Sequence, residues 1–344
     1  MPRRALILIV AGAAVVIAAV VAAVLPVPYV ILSPGPTLNT LSTGPGGKPL
    51  IQIAGHKTYP TAGNLNLVTV NFQGGPGNEI NIFTALRAWL NSHDAVVPQQ
   101  ELFGPGQSQQ QVQHQDVVQM TNSQANATAA ALTEVGIRYR TQVQVLSTER
   151  GMPAARALQS GDIITKVNSV PIDSVTGLSQ QIRAQGAGRP VLLTIVRHGR
   201  TQTVSVTATQ SQGHPVIGVV VTVRFIFPFT VNISVGNIGG PSAGLMFALG
   251  IVDKLTPMNL TGGRFIAGTG EITPAGQVEP IGGIQQKMAG ARAKGATVFL
   301  APAGNCADTA GAIPAGLRVV KVSTLPQAVS DLEDIQVGKP VPSC

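Results

Sequence analysis

Only two of the 344 residues are cysteine, Cys306 and Cys344, and neither stands in a CxxC or Cys/His spacing. That excludes the common sequence patterns of a zinc site, and no metal or other cofactor is implied. Outside the cell an even pair can oxidise, so Cys306 and Cys344 are a candidate disulfide that would staple the C-terminal tail. The chain has no G-x-x-x-x-G-K-[ST] loop, which removes the usual signature of an ATP-binding module. Net charge is +8, but the basic residues are scattered, with no basic helix and no interleaved aromatics. A solvated, slightly basic surface accounts for this, and a nucleic-acid partner is not expected.

What is present begins with an apolar run over 5–25, the length a helix needs to cross a bilayer, preceded by Arg3 and Arg4. Basic residues stay on the cytoplasmic side, so the expectation is a single span in the cell membrane, residues 1–4 inside and the bulk of the chain outside. A signal peptide opens in the same way. The run is long for one, however, and ends Ala22-Ala23-Val24-Leu25-Pro26 without a clear Ala-x-Ala site.

Residues 26–136 are rich in Gly and Pro, with alternating runs such as Leu67-Val68-Thr69-Val70-Asn71-Phe72 bounded by turn residues. They read as a small strand-rich region with one helix over 116–134, ended by Gly136. From 137 to 210 the pattern becomes strand, turn, strand, helix, strand, strand. Val143 and Val145 alternate, Gly161-Asp162 turn, 163–168 form a strand, Leu178 and Ile182 are spaced as on a helix, and two strands flank His198-Gly199-Arg200. This stretch, with RGMPAARALQSGDIITKVNSVPI, resembles a bacterial PDZ domain. The resemblance implies an extended-peptide groove beside the helix bearing Leu178 and Ile182.

The last third, 215–338, carries the chemistry, with 339–344 as a tail. A strand over 231–235 leads through Gly236-Asn237-Ile238-Gly239-Gly240-Pro241-Ser242-Ala243-Gly244 into an apolar helix. Ser242 then falls at a helix N-terminus, where outward-pointing amides suit a nucleophile and an oxyanion hole, and Gly240, Pro241 and Ala243 form the turn backbone around it. A serine needs a base. All five histidines precede Ser242, so the Ser, acid, His order of the hydrolase elbow does not exist here, although order alone leaves a His-first triad open. Lys254 lies twelve positions along the same helix, about 18 Å away, out of reach. Lys287, on a later helix among Ile281, Ile284 and Met288, can approach, and an apolar setting lowers a lysine pKa towards a useful base.

GGPSAG from Gly239, GTGEITPAGQVEPIGGIQQK from Gly268 and AGARAKGATVFLAP from Ala289 are similar, in order and spacing, to the proteolytic domain of Lon-type serine peptidases. The resemblance implies Ser242 as nucleophile, Lys287 as general base and Thr269 as a hydroxyl orienting the lysine. Many Lon enzymes carry Asp where this chain has Gly239. The whole order resembles the bacterial membrane-anchored PDZ-Lon family.

The expected fold is therefore multidomain, α/β and α+β: a transmembrane helix, a small strand-rich region, a PDZ-like β-rich module and a C-terminal Lon-type α/β proteolytic domain. The expected function is an ATP-independent serine endopeptidase taking unfolded or flexible polypeptides. Ring-like homo-oligomers are implied by the family resemblance alone. A catalytically silent scaffold and a self-processing protein are the alternatives.

Overall fold

The structure is a computed structural model that describes residues 3–44 and 47–344. Met1 and Pro2 of the expected cytoplasmic segment lie outside the described residues. The chain forms two compact units, one made of 1–136 with 229–344, the other of 137–228.

In the first unit, helix Arg3–Val24 opens with two arginines and is apolar from Ala5 onward; the window Ile7–Val24 has a mean hydropathy of 3.0 and none of its residues is buried in the protein. That is long and apolar enough to cross a membrane. Beyond it the unit is built on one six-stranded sheet. Strands Arg318–Val322, Val298–Pro302, Phe265–Gly268 and Asn64–Gly74 run parallel in that order. Tyr29–Asn39 and Ala95–Pro98 extend the sheet antiparallel. Every residue of Val298–Pro302 is buried, which is why VFLAP is apolar without alternation: both faces of a central parallel strand are covered. Helix Gly244–Leu255 is likewise buried nearly all round, so its run LMFALGIV carries no polar face.

This sheet corrects the division read from the sequence. Residues 26–136 are not a separate strand-rich region with one helix. Three of their strands complete the sheet of the C-terminal segment, and they also hold the helices Ile82–Trp89 and Gln109–Glu134. The Gln109–Glu134 helix starts earlier than its apolar spacing suggests because Ser108 and Gln111 form a capping box. At the other end, Cys306 and Cys344 form a disulfide, and Lys321 N–H donates to the Pro342 carbonyl, which holds the tail along strand Arg318–Val322.

The second unit has its own core, with Val143, Ile164, Leu178, Ile182, Leu193 and Ile195 among its buried residues. Its strands run in the order Arg200–Thr207, Pro190–Arg197, Ile163–Val167, Arg140–Thr148, Val219–Ile226. The hairpin turn is His198-Gly199, both at positive φ (48° and 75°), matching the right-handed strand twist. Strand Val219–Ile226 pairs antiparallel with Arg140–Thr148, so this unit extends past 210 and takes residues that the sequence reading assigned to the proteolytic segment. Asp162, 1% exposed, is tied to Arg197 at 2.6 Å.

Candidate active site

The loop that carries Ser242 turns where Gly240 adopts φ +84°, and Ala243 caps the helix Gly244–Leu255. Ser242 thus sits just before the first helical turn. The carbonyl of Ser242 accepts two hydrogen bonds, from Gly270 N–H (2.8 Å) and from Thr269 Oγ1 (3.0 Å). Leu245 N–H donates to the Gly270 carbonyl, which ties the helix start to the same strand end. Gly244 is required here: a Cβ would stand 2.8 Å from Ile272 Cγ2 and 3.0 Å from its backbone nitrogen.

Lys287 comes from helix Ile284–Ala293, which opens after Gly283 in the left-handed conformation. It is 4% exposed, and its Nζ donates to Thr269 Oγ1 at 3.2 Å. Burial lowers its pKa to about 7. Ile284 and Met288 are buried beside it in the chain, and Ile281 packs against their cluster. Thr269 is buried and bridges the two residues, donating to the Ser242 carbonyl and accepting from Lys287. Ser242, Lys287, Gly240, Pro241 and Ala243 line one cleft of about 640 Å³, walled by Val68, Val70, Met120 and Ile281. No histidine lines it, and Lys254, at the far end of the helix after Ser242, does not either.

The amide of Gly240 points away from the cleft's needs: it donates to the Asp116 carbonyl at 3.2 Å. Among the described hydrogen bonds, the amides of Ser242 and Ala243 have no acceptor and remain available at the helix N-terminus. Pro241 has no amide proton, and its carbonyl accepts from Ser123 Oγ at 2.8 Å. Helix Gln109–Glu134 therefore grips the Ser242 loop at two points, through Asp116 and Ser123. Sequence reading assigned that helix no chemistry, and a contact across 118 positions leaves no local signal.

The same helix explains Gly239. A Cβ at Gly239 would lie 2.6 Å from Asp116 Cβ and 3.2 Å from its Cγ, so the Asp116 side chain occupies that volume. Its carboxyl lines the cleft with that of Glu271, and burial raises both pKa values; the opposing Glu279 raises Glu271 further.

Residues 231–335 match the family model of the Lon protease (S16) C-terminal proteolytic domain. This is a Lon-type proteolytic domain. Residues 111–208 match the PDZ domain model, so the order is PDZ followed by Lon-type domain. A Lon protease of Heliobacterium modesticaldum is 38% identical over 109 residues, 30% of this chain and 13% of that protein. Lon protease 1 of Bacillus subtilis is 37% identical over 103 residues, 29% of this chain and 13% of that protein. The chain thus spans about an eighth of the length of these relatives. Among solved structures, the PDZ domain of the SdrC-like protein Lin2157 from Listeria innocua is 27% identical, covering 23% of this chain and 92% of that one, with a TM-score of 0.22.

Within the PDZ unit, Leu178 and Ile182 are buried in the core and also line a cleft beside helix Val175–Gln185. The opposite wall is Ile217, Gly218, Val219 and Val221, leading into the edge strand Val219–Ile226. The groove is thus bordered by the last strand of the unit. Of the stretch before Val143, Arg140, Thr141 and Gln142 instead pair with that strand's far end.

Proposed function

We propose that this protein is a membrane-anchored, extracytoplasmic serine endopeptidase of the Lon type that works through a Ser242 and Lys287 dyad without ATP. The observation that carries the reading is the buried amine of Lys287, with a pKa of about 7, in the same cleft as Ser242 and linked to it through Thr269. At neutral pH a large fraction of Lys287 is uncharged. It then takes the proton from Ser242 Oγ, which attacks a substrate carbonyl, while the free amides of Ser242 and Ala243 receive the oxyanion. Lys287 returns the proton to the leaving amine, and water, activated by the same amine, hydrolyses the acyl-enzyme. Thr269 orients the lysine rather than reacting.

Lacking an ATP-binding loop, the chain has no evident means of unfolding its substrates, so its substrates are unfolded or flexible segments. The PDZ unit supports a presenting role: an extended peptide adds to the free edge of Val219–Ile226 and places side chains against Leu178 and Ile182. Arg3 and Arg4, at the start of helix Arg3–Val24 and before its apolar run, support a cytoplasmic N-terminus.

The test is casein cleavage, without ATP, by the full chain and its Ser242→Ala and Lys287→Ala variants. Cleavage by the parent alone is expected. Cleavage that persists in both variants would mean that other residues carry the reaction.

A further inference from the structure

Helix Ile82–Trp89 has two unlike faces. Ala85 and Ala88 are buried with Ile31 and Ile80, and Val27 and Val96 pack against that cluster. On the other side Phe83, Leu86 and Leu90 follow one another at positions i, i+3 and i+7, beside Trp89. These four are 50%, 47%, 80% and 73% exposed. Three large apolar side chains uncovered on an eight-residue helix, with a fourth on its C-cap Leu90, are unusual on a surface facing water alone. The segment 82–91 has no acidic residue and one basic residue, Arg87.

Its position gives the exposed face a partner. The helix starts where the apolar N-terminal helix ends: Asn81, its cap, donates from Nδ2 to the Ala23 carbonyl at 2.9 Å. Pro26 and Val27, directly after the span, pair with Asn81 and Ile80. Val24, Leu25 and Tyr29 are exposed around the same exit. A helix about 12 Å long, rooted at the point where a span leaves the bilayer, stays within reach of the headgroup and upper acyl region. Trp and Tyr with a flanking Arg are the side chains that settle there.

We propose that Phe83, Leu86, Trp89 and Leu90 form a membrane-interface foot, embedded in the outer surface of the lipid bilayer beside the span. The foot holds the proteolytic unit against the membrane instead of leaving it on a free tether. This rests on reading the N-terminal helix as a membrane span.

Trp89 is the chain's single tryptophan, so its emission reports on this face alone. The full chain is reconstituted into phosphatidylcholine vesicles with or without bromine on the acyl chains near the headgroup, and the membranes are washed with alkaline carbonate. Bromination is expected to remove most Trp89 emission. A Phe83→Ser, Leu86→Ser variant that still pellets with the membranes and still cleaves casein is expected to lose that quenching. Unchanged emission in carbonate-resistant protein overturns the foot while leaving the span intact. So does emission that resists both bromine and acrylamide, which would mean that protein covers Trp89. Release of the chain by carbonate removes the span reading, and the foot with it.

Discussion

Thr269 Oγ1 stands between Lys287 and Ser242, accepting from the amine at 3.2 Å and donating to the serine carbonyl at 3.0 Å. One hydroxyl therefore ties the Lys287 amine to the loop that carries Ser242. Thr269→Val is expected to lower kcat by about 10- to 100-fold with little change in KM, and Thr269→Ser to restore most of it. Because the lost acceptor favours the charged amine, the pH limb of kcat in Thr269→Val should move below about 7. A limb that moves upward would show that Thr269 does not serve the lysine.

Lys287 titrating near 7 predicts activity that rises as pH increases through about 7 and then levels. Lys287→Arg should be inactive at every pH, since a guanidinium does not give up its proton in proteins. The stability effect has a definite sign. The folded pKa is below the unfolded value, so the unfolded chain binds more protons between about pH 7 and 10.5, and stability gains on raising pH through that window. Below it the buried charge is a standing cost. Lys287→Met should therefore abolish cleavage while stabilising the proteolytic unit at pH 7 by roughly 2–5 kcal/mol, measured by denaturant unfolding.

Gly239 and Asp116 exclude each other sterically, because a Cβ on Gly239 meets Asp116 Cβ at 2.6 Å. Gly239→Ala should displace the nucleophile loop and lower activity. Adding Asp116→Gly should relieve the contact, whereas Asp116→Ala keeps the clashing carbon and should not. The coupling in the glycine cycle is expected at about 1–2 kcal/mol of transition-state energy. Equal rescue by glycine and alanine would locate the effect in the carboxylate instead.

In the PDZ unit, burial raises the Asp162 pKa, but hydrogen bonds from Arg197 and the Gln159 amide outweigh it and the net shift is downward. Stability from this pair is thus fully present above the unfolded aspartate pKa and is lost as pH falls through the lower folded value. Asp162→Asn should destabilise the unit by about 3 kcal/mol at pH 7 and flatten its acid unfolding. An unchanged acid limb would remove Asp162 as its cause.

The Cys306 and Cys344 disulfide closes a separation of 38 residues, for which the loop-entropy relation gives about 4 kcal/mol. Cys344→Ser should lower stability of the proteolytic unit by up to that amount and leave the PDZ unit unaffected. The two transitions can be followed separately by hydrogen exchange.

The features that sequence alone determined are those whose physics is local. A helix long and apolar enough to cross a membrane follows from an unbroken apolar run, the PDZ strands and helix from periods of 2 and 3.6, and the Ser242 turn from Gly and Pro followed by an apolar helix. Chain order by itself removed only the triad order in which His follows Ser; that no histidine lines the Ser242 cleft was decided by the fold. What tertiary structure decided are contacts between distant segments. Strands within 26–136 join the C-terminal sheet because a parallel sheet pairs residues from separate parts of the chain, as Leu65 with Ile266. Asp116 and Ser123 hold a loop more than a hundred positions away, and no periodicity encodes that. The pKa of Lys287 belongs to the same class: it falls to about 7 because folding removes water from around the amine.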